Sequence, residues 1–317
     1  MTALWRRSLP TPLLSPQPGT VFTSAVTTPD IVLAGDTAHL YVGAVAEGQE
    51  RLVHVALPVQ ALVEGTPLDI QSQARVVLAP GPGEHDCRHV FDPAALVDHE
   101  GTTIFYSAVG AGPDSIGKAV SGDGIRFCKA PLPVLTGRSP EAVRFQDCLY
   151  LFYVLPGVGK GYEIHLATSR NGGQFVMDGS EAVLGTGTSG AWDGYEVTTP
   201  RIFHHNGFFY MTYAGNGDAD RSDAPRAFGL ARSADLVSWT KYPGNPVFTC
   251  GAPGTWDDGA IWFGTVFEWH ESLHLLYEGG AAGDLTGDGV PLTQVGMASV
   301  SVADFDAAMQ AWLGKRG

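Results

Sequence analysis

Cysteine, positive charge and long apolar runs are all scarce in this chain of 317 residues. The four cysteines, Cys87, Cys128, Cys148 and Cys250, show no Cys-x-x-Cys spacing, which excludes a dense disulfide framework and indicates free thiols in a reducing compartment. No stretch of about 18 apolar residues is present, so no transmembrane helix is predicted. With 19 Lys and Arg against 33 Asp and Glu, the formal net charge is −14, which argues against nucleic acid and anionic membranes as partners.

The N-terminal segment lacks the apolar core of a secretion signal. Arg6 and Arg7 are followed by four prolines before Gly19 rather than by an uninterrupted apolar run, so we expect a cytoplasmic protein. What the chain has in abundance is glycine, at 41 residues, and proline, at 21, within a composition that is 44% hydrophobic and 10% aromatic. This composition predicts a folded protein with many turns and few long helices.

A repeated pattern runs along the chain. A proline, or glycine in one copy, is followed by a tyrosine 13 residues later, or 12 in the first copy. The pairs are Pro29 and Tyr41, Pro93 and Tyr106, Pro140 and Tyr153, Pro200 and Tyr213, and Gly264 and Tyr277. Each copy has a short apolar run, a polar turn and a second apolar run, which is typical of a β-hairpin. Because the first residue of a strand need not donate to the ladder, each strand is expected to begin near its proline.

A third apolar segment follows each hairpin, as at 164–169 and 228–233. Five units of three or four antiparallel strands, starting near residues 29, 93, 140, 200 and 264, predict an all-β, five-bladed β-propeller in which the chain 1–317 is one domain. Residues near 21–26 are expected to complete a blade and close the ring. Phe305, Met309 and Leu313 have the spacing of a short C-terminal helix over 303–315.

The hairpins that begin at proline, together with the segment Ser233-Ala-Asp-Leu-Val-Ser-Trp-Thr-Lys-Tyr-Pro-Gly-Asn-Pro-Val-Phe248, resemble the five-bladed propeller glycosidases. These comprise glycoside hydrolase family 43 and its relatives, the fructosidase and mannoside-phosphorylase groups, and the resemblance extends over about residues 29–301. It implies an active-site pocket at one end of the central axis, lined by acidic residues from the starts of the innermost strands. A shared fold does not fix the substrate or the reaction.

Glu196 is the first candidate for the catalytic acid. At the 64-residue offset between blades four and five, Trp-Asp at 192–193 matches Trp-Asp at 256–257, which indicates an architectural pair. Glu196 falls opposite Ala260, so the blade scaffold does not require a carboxylate there. The resemblance implies an acid two residues before the blade-four proline, a place that Thr198 occupies here.

Asp30, Asp92 and Glu141 are the other catalytic candidates. The resemblance implies an aspartate before the first proline, where this chain has Thr28. Since positions 28 and 30 share one face of a strand, Asp30 is expected to face the channel at a deeper level. Asp92 keeps the Asp-Pro form on blade two, where fructosidase-like relatives place an aspartate that stabilises the transition state. Glu141 follows the third proline as Asp30 follows the first, while Ser139 stands where family 43 has the aspartate that tunes its acid.

A second group of side chains is predicted to bind the substrate around these acids. Arg201 is in register with Asp30 and Glu141, where its charge would lower the pKa of nearby carboxyl groups. It can grip a substrate oxygen or form a structural salt bridge. Tryptophan and tyrosine rings near the mouth can stack on sugar faces, although some of them must pack between blades. The predicted substrate-binding residues are Arg201, Trp192, Tyr195, Asp258 and Trp262.

Loops and polar motifs near the mouth complete the candidate site. The long loops 215–226 and 280–293 are expected to overhang the pocket and to carry specificity. The run His85-Asp86-Cys87-Arg88-His89, just before blade two, can supply ligands or an acid, or can be a polar loop. No ligand set with metal-binding spacing is recognised, so no metal ion or other cofactor is predicted, although some members of the family contain a central metal.

The predicted function is that of a glycosidase-like enzyme that cleaves a small glycoside or oligosaccharide from its end, with a furanoside among the candidates. Glu196 would protonate the leaving oxygen, and Asp30, with Asp92 or Glu141, would activate water or stabilise the oxocarbenium-like charge. Similarity to family 43 implies an inverting reaction, which needs carboxyl groups about 6.5–9.5 Å apart, whereas about 5–5.5 Å indicates retention.

Two alternatives remain open at this point. The same pocket can serve glycosyl transfer, phosphorolysis or a biosynthetic isomerisation or cyclisation, and a phosphorylase would draw on Arg201, Arg221 and Arg226 to bind phosphate. The propeller can also bind sugar without catalysis, in which case the acids at the strand starts need not converge.

Overall fold

The computed structural model describes residues 3–65, 73–170, 172–177, 179, 181–221, 223–285 and 291–314. Five antiparallel sheets follow one another along the chain and form the predicted five-bladed, all-β propeller with a C-terminal helix. Within the described ranges, no helix is long and apolar enough to span a membrane.

Each sheet begins with a long strand and continues outward by antiparallel pairing with the next strands in the chain, except that one two-residue strand comes from the N-terminus. That strand is β1 (Arg6–Arg7). The first blade comprises β2 (Ala25–Ala34), β3 (Thr37–Ala46), β4 (Gln49–Pro58) and β5 (Arg75–Leu78), with helix α1 (Val59–Glu64) after β4. The second comprises β6 (His89–Asp98), β7 (Gly101–Val109), β8 (Ser115–Ser121), β9 (Cys128–Lys129) and β10 (Leu135–Thr136).

The remaining blades have the same arrangement. The third comprises β11 (Arg138–Phe145), β12 (Cys148–Pro156), β13 (Tyr162–Ser169) and β14 (Val176–Met177). The fourth comprises β15 (Glu196–His205), β16 (Phe208–Asn216), β17 (Ala227–Ser233), β18 (Thr240–Lys241) and β19 (Phe248–Thr249). The fifth comprises β20 (Ala260–Trp269), β21 (Ser272–Leu285), β22 (Pro291–Ser301) and β1.

The ring closes through the N-terminus, and not through residues 21–26 as expected from the sequence. Arg6 and Arg7 pair with Ser299 and Ala298 on β22, which makes β1 the outer strand of blade five. Residues 25 and 26 are unavailable for this role because they already pair with β3 in the inner strand of blade one. The closure joins the two ends of the chain in a single sheet.

The repeated prolines lie inside the inner strands, and not at their starts as predicted. In every blade the register shifts at this position, with a bulge between residues 27 and 30, 91 and 94, 138 and 141, 198 and 201, and 262 and 265. A bulge leaves a residue outside the ladder, so a proline without an N–H group is tolerated there. The residue before each proline, or before Gly264, has a positive φ between 34° and 51°.

The repeated tyrosines have an architectural role inside the blades. In three blades the tyrosine hydroxyl donates to an aspartate 20 residues earlier, which also accepts from a cation. The sets are Asp86, Tyr106 and Lys129; Asp193, Tyr213 and Lys241; and Asp257, Tyr277 and Arg7. The Trp-Asp pairs at 192–193 and 256–257 therefore help to build their blades, and in blade five the cation comes from the closing strand.

The C-terminal helix α2 (Val302–Gly314) packs on the outer part of the last two blades. Phe305 and Met309 are buried, as their spacing predicted. Trp312 is the third buried side chain, whereas Leu313 is 44% exposed, which corrects that part of the prediction. Lys315, the predicted last residue of the helix, lies outside the described residues.

Candidate active site at the mouth of the propeller axis

The bulges place one residue from each blade around the axis at the mouth of the propeller. These five residues, which we call the mouth layer, are Thr28, Asp92, Ser139, Thr199 and Phe263. All five line one cavity of about 480 Å³. Three of them carry a hydroxyl group and one carries a carboxyl group, so the repeat itself places polar groups around this pocket.

Two residues further along each strand lies a second set of five, which we call the floor layer. Its members are Asp30, Ala94, Glu141, Arg201 and Thr265. None of them is among the residues that line the cavity. Asp30 therefore lies deeper in the axis than Thr28, as expected from the sequence. Glu141 and Arg201 lie at the same depth as Asp30.

Arg201 is the centre of the floor layer. Its guanidinium donates to the carbonyl oxygens of Pro93 at 2.9 Å and Pro140 at 2.8 Å, and its Nε donates to Thr265 Oγ1 at 3.1 Å. The Thr265 hydroxyl in turn donates to the carbonyl oxygen of Pro29 at 2.7 Å. Because these carbonyls belong to the repeated prolines, one buried side chain ties several inner strands together across the axis.

The two floor carboxylates are also tied to the protein. Glu141 Oε2 lies 3.3 Å from Arg201 Nη1, and Glu141 Oε1 accepts the backbone N–H of Ile202 at 3.0 Å. Asp30 accepts the backbone N–H groups of Ile31 at 2.9 Å and of Ala95 at 2.6 Å. Burial raises the pKa of both groups, and the charge of Arg201 opposes that rise. These contacts are typical of a structural network.

Asp92 is the predicted catalytic residue that faces the pocket. Its Oδ1 accepts from the Thr28 hydroxyl at 2.9 Å, and its Oδ2 accepts from the hydroxyls of Ser107 at 2.8 Å and Ser139 at 3.2 Å. The Ser107 hydroxyl also accepts the backbone N–H of Ser139 at 2.8 Å, which fixes its direction. Asp92 is 3% exposed, so hydroxyl groups hold a nearly buried carboxylate in one orientation.

Glu278 is a second pocket carboxyl group, and sequence reasoning missed it. Its Oε2 accepts the backbone N–H of Thr28 at 2.7 Å and lies 3.4 Å from the Thr28 hydroxyl. Burial raises the pKa of Glu278 to about 8, hydrogen bonds from Thr28 and Thr293 oppose the rise, and the charge of Asp92 adds to it. At neutral pH Glu278 therefore carries a proton in a pocket that also holds Asp92.

Glu50 and His89 line the wall next to Asp92. Burial, followed by the charges of Asp92 and Glu278, raises the pKa of Glu50 to about 8. Its backbone N–H donates to His89 Nδ1 at 3.3 Å, and its Oε2 lies 3.7 Å from the same ring atom. Burial lowers the pKa of His89, and the charge of Arg88 adds to that effect.

Arg138 and Asp223 lie together on another part of the pocket rim. Arg138 Nη1 lies 3.7 Å from Asp223 Oδ2, and its Nε lies 3.5 Å from Asp114 Oδ2. Arg138 also donates to the Tyr162 hydroxyl at 3.2 Å and lies over the ring of Phe91 at 5.5 Å. Burial raises the pKa of Asp223, and the charge of Arg138 opposes that rise. The loop 215–226 thus reaches the pocket, as predicted, through Asp223.

Glu196, the predicted acid, is fully buried behind this rim and is not among the residues that line the cavity. Both of its carboxylate oxygens lie within hydrogen-bond distance of the backbone N–H of Asp223, at 3.2 and 3.3 Å. Its carboxylate therefore holds the loop that presents Asp223.

The predicted binding residues fall in different places. Trp262 lines the pocket, and its Nε1–H donates to the carbonyl oxygen of Asp223 at 3.2 Å. Trp192 stacks on Tyr213 inside blade four, with ring centroids 5.7 Å apart. Asp258 accepts the backbone N–H groups of Gly254 and Ala282, and these bonds lower its pKa. Trp192, Tyr195 and Asp258 are not among the pocket-lining residues.

The repeat contains a signal that would have found Glu278. It directly follows the repeated tyrosine of blade five, where the other blades have Val42, Ser107, Val154 and Ala214. A carboxylate at this position is not required by the blade scaffold, which is the same argument that singled out Glu196. Glu50, Asp114 and Arg138 have no comparable signal, because they come from hairpin ends and from a residue before the bulge. Among the described residues, no group of three or more His, Cys, Asp or Glu is arranged to hold a metal ion.

Comparison with known proteins confirms that the fold is shared with glycoside hydrolases, and it does not identify a substrate or a reaction. No protein-family model matches the sequence, and no curated protein matches it. Among solved structures, the chain is similar to one reported with the family-130 mannoside phosphorylases and glycoside hydrolases that target β-1,2-mannosidic linkages in Candida mannan. That match has a TM-score of 0.70 and 15% identity over 94% of each chain. A thermostable family-43 glycoside hydrolase matches with a TM-score of 0.62 and 17% identity over 89% of this chain and 92% of the other.

A third structure of similar fold is named for a different activity. An N-acetylgalactosamine deacetylase from F. plautii, in complex with blood group B trisaccharide, has a TM-score of 0.69 and 14% identity over 99% of each chain. The predicted likeness to the five-bladed propeller glycosidases is thus confirmed for the fold. At these identities the reaction has to be argued from the pocket.

Proposed function

We propose that this protein is a glycosidase-like hydrolase that acts on a small glycoside or oligosaccharide in the pocket at the mouth of the axis. The observation that carries the proposal is the pair Asp92 and Glu278, two carboxyl groups joined through Thr28 in the wall of one cavity. Glycoside hydrolysis needs two carboxyl groups in different protonation states. The partly exposed ring of Trp262 supplies a wall on which a sugar ring can stack.

The two carboxyl groups have distinct roles in this proposal. The proton of Glu278 passes to the glycosidic oxygen as the bond between that oxygen and the anomeric carbon breaks. The Asp92 carboxylate, held by hydroxyl groups, stabilises the positive charge that develops on the sugar or bonds to the anomeric carbon. Water then adds to that carbon, and the Glu278 carboxylate takes the proton that the water loses.

The spacing of this pair bears on the stereochemistry. The nearest oxygens of Asp92 and Glu278 lie 2.9 and 3.4 Å from the Thr28 hydroxyl, so they are at most about 6.3 Å apart. Inverting enzymes have a separation of about 6.5–9.5 Å and retaining enzymes about 5–5.5 Å. This pair therefore favours retention, whereas the inversion implied by family 43 would need a more distant partner such as Asp223.

The surroundings of the pocket favour hydrolysis at a chain end over phosphorolysis. The floor layer fills the axis below the mouth layer, which suits a closed pocket that takes the end of a chain. Arg138 is the only arginine or lysine among the described residues that line the cavity. Arg201 is buried in the floor, and Arg226 donates to the carbonyl oxygens of Asp258 and Gly259. A basic phosphate site is therefore not formed by these described side chains.

The test is a panel of nitrophenyl pyranosides and furanosides, including N-acetylated sugars, assayed with and without phosphate and with acetate release measured in parallel. We expect hydrolysis without phosphate. Asp92→Asn and Glu278→Gln should each lower kcat/KM by about 10²–10⁴-fold, while the exposed control Glu100→Gln leaves it unchanged. Full activity in Glu278→Gln with loss in Glu196→Gln would instead support the acid predicted from the sequence. If acetate is released and no nitrophenol is, the proposed reaction is wrong and the protein is a deacetylase.

A further inference from the structure

His89 is the last residue of the His85–His89 motif and the first residue of β6. It lines the pocket, and its side chain is 34% exposed. The proposed hydrolysis uses neither of its ring nitrogens. Its orientation is nevertheless fixed, because the hairpin between β3 and β4 brings the backbone N–H of Glu50 to within 3.3 Å of Nδ1.

This contact determines which ring nitrogen carries the proton. A backbone amide nitrogen can only donate, so Nδ1 must accept with its lone pair. A neutral imidazole that accepts at Nδ1 carries its hydrogen on Nε2. Protonation of the ring would set an N–H group against the N–H of Glu50, which agrees with the lowered pKa of His89.

The groups around the ring do not favour the imidazolium form. The Glu50 carboxyl group is the nearest acid, with Oε2 at 3.7 Å from Nδ1, and its own pKa is raised to about 8, so it is largely uncharged near pH 7. Arg88 acts in the same direction by repulsion. Within the described part of the chain, His89 Nε2 has no hydrogen-bond partner, so its hydrogen is available to a ligand.

We propose that His89 is a substrate-binding residue whose Nε2–H donates a hydrogen bond to a sugar oxygen in the pocket. It is a specificity-determining donor and not a proton-transfer group, because a neutral imidazole gives up its remaining proton far too weakly to act near pH 7. The identity of the ligand as a sugar rests on the proposed function, whereas the state of the ring does not.

The ring state is tested first, without any activity. Long-range ¹H–¹⁵N spectra of the labelled protein, with the His89 signals assigned by their loss in His89→Gln, should show Nδ1 unprotonated and Nε2 protonated from pH 6 to pH 8. Addition of galactose, mannose or arabinose, or of the glycoside that the panel identifies, should shift the Nε2–H signal. An Nδ1–H tautomer, an imidazolium, or an Nε2–H signal that none of these sugars shifts would overturn the proposal.

A matched pair of variants tests the donor in catalysis. The amide nitrogen of glutamine can reach the place of Nε2, whereas that of asparagine reaches only the place of Nδ1. We expect His89→Gln to keep KM within about threefold of the wild type and His89→Asn to raise it by roughly 5- to 30-fold, with a much smaller change in kcat. The exposed control His99→Gln should match the wild type. The reverse order, with His89→Asn intact and His89→Gln impaired, contradicts the proposal. If no glycoside is cleaved but the ring state and the sugar-dependent shift are found, the proposed hydrolysis fails and the binding role of His89 stands.

Discussion

The mouth and floor layers of the axis come from the same repeat, two residues apart on the same strands, yet they differ in almost every chemical respect. In the floor, Asp30, Glu141 and Arg201 are buried, and they bond to backbone groups or to one another. At the mouth, Asp92 accepts from the hydroxyls of Thr28 and Ser107 beside a cavity, and the neighbouring Glu278 accepts the backbone N–H of Thr28. The difference teaches that an acid on the propeller axis indicates function only when a cavity reaches it.

The largest expected effect compares Arg201 of the floor layer with Arg138, which lines the pocket next to the mouth-layer residue Ser139. Arg201→Met leaves Glu141 without its cation and several proline carbonyls without a donor. It should lower the free energy of unfolding by about 3–5 kcal/mol, because several buried acceptors lose their hydrogen-bond donor at about 1–3 kcal/mol each. Arg138→Met breaks partly exposed ion pairs with Asp114 and Asp223, which are worth about 0–1 kcal/mol, and one hydrogen bond to the Tyr162 hydroxyl, worth about 1 kcal/mol. Urea denaturation of both variants measures the contrast. Equal losses would show that the floor is no more structural than the mouth.

The second prediction compares the catalytic activity of variants at Asp92, in the mouth layer, and at Asp30, in the floor layer. Asp92→Asn should abolish most turnover of the glycoside found in the panel and change stability by about 1 kcal/mol or less, since asparagine keeps one acceptor for the Thr28 hydroxyl. Asp30→Asn should lower stability by about 1–3 kcal/mol, because its amide group meets a backbone N–H as a second donor. The folded Asp30→Asn enzyme should keep its rate. Loss of turnover in folded Asp30→Asn would restore Asp30 as the catalytic residue that the sequence suggested.

The fold could be predicted from the sequence because each of the five blades contains the interval of 12 or 13 residues from proline or glycine to tyrosine. The same interval could not locate ring closure, since β1 contains only two residues, Arg6 and Arg7, and carries no strand signal. The strand starts were misplaced because a bulge and a strand end are equally compatible with proline.

The candidate site could be predicted only in part. Asp92 and Trp262, which are expected near the mouth from the sequence, line the pocket. Asp30 lies deeper than position 28, as alternation suggests, but alternation does not show that the cavity ends above Asp30, Glu141 and Arg201. Glu50 and Arg138 reach the pocket through hairpin geometry and through the position before a bulge. Asp223 does so through a loop held by Glu196. None of these placements follows from residue type.

The last comparison concerns the protons of Glu278 and Glu50, two glutamates that line the pocket beside the mouth layer. Glu278 and Glu50 have a pKa of about 8 in the folded protein, against 4.5 for an ordinary glutamate. Between these values the unfolded chain has released protons that the folded chain still binds, so stability falls as the pH rises from about 5 to 8. The upper limit is about 1.4 kcal/mol per pH unit for each group. Activity that depends on the Glu278 proton should likewise decline as the pH rises past about 8.

Two substitutions separate these protons from every other titrating group in the protein. At about pH 4, below the pKa of these groups in the folded and the unfolded protein, a glutamine resembles the protonated acid in shape and charge, so Glu278→Gln and Glu50→Gln should unfold at nearly the same urea concentration as the wild type. At pH 8.5 each should be more stable than the wild type, because its side chain no longer has to ionise inside the fold, while the exposed control Glu100→Gln keeps the wild-type slope. If both variants also keep that slope, the mouth carboxyl groups are ionised near neutral pH. Glu278 could then not supply the proton for the leaving oxygen. The mouth and the floor would then differ only in whether their acids lie beside the cavity.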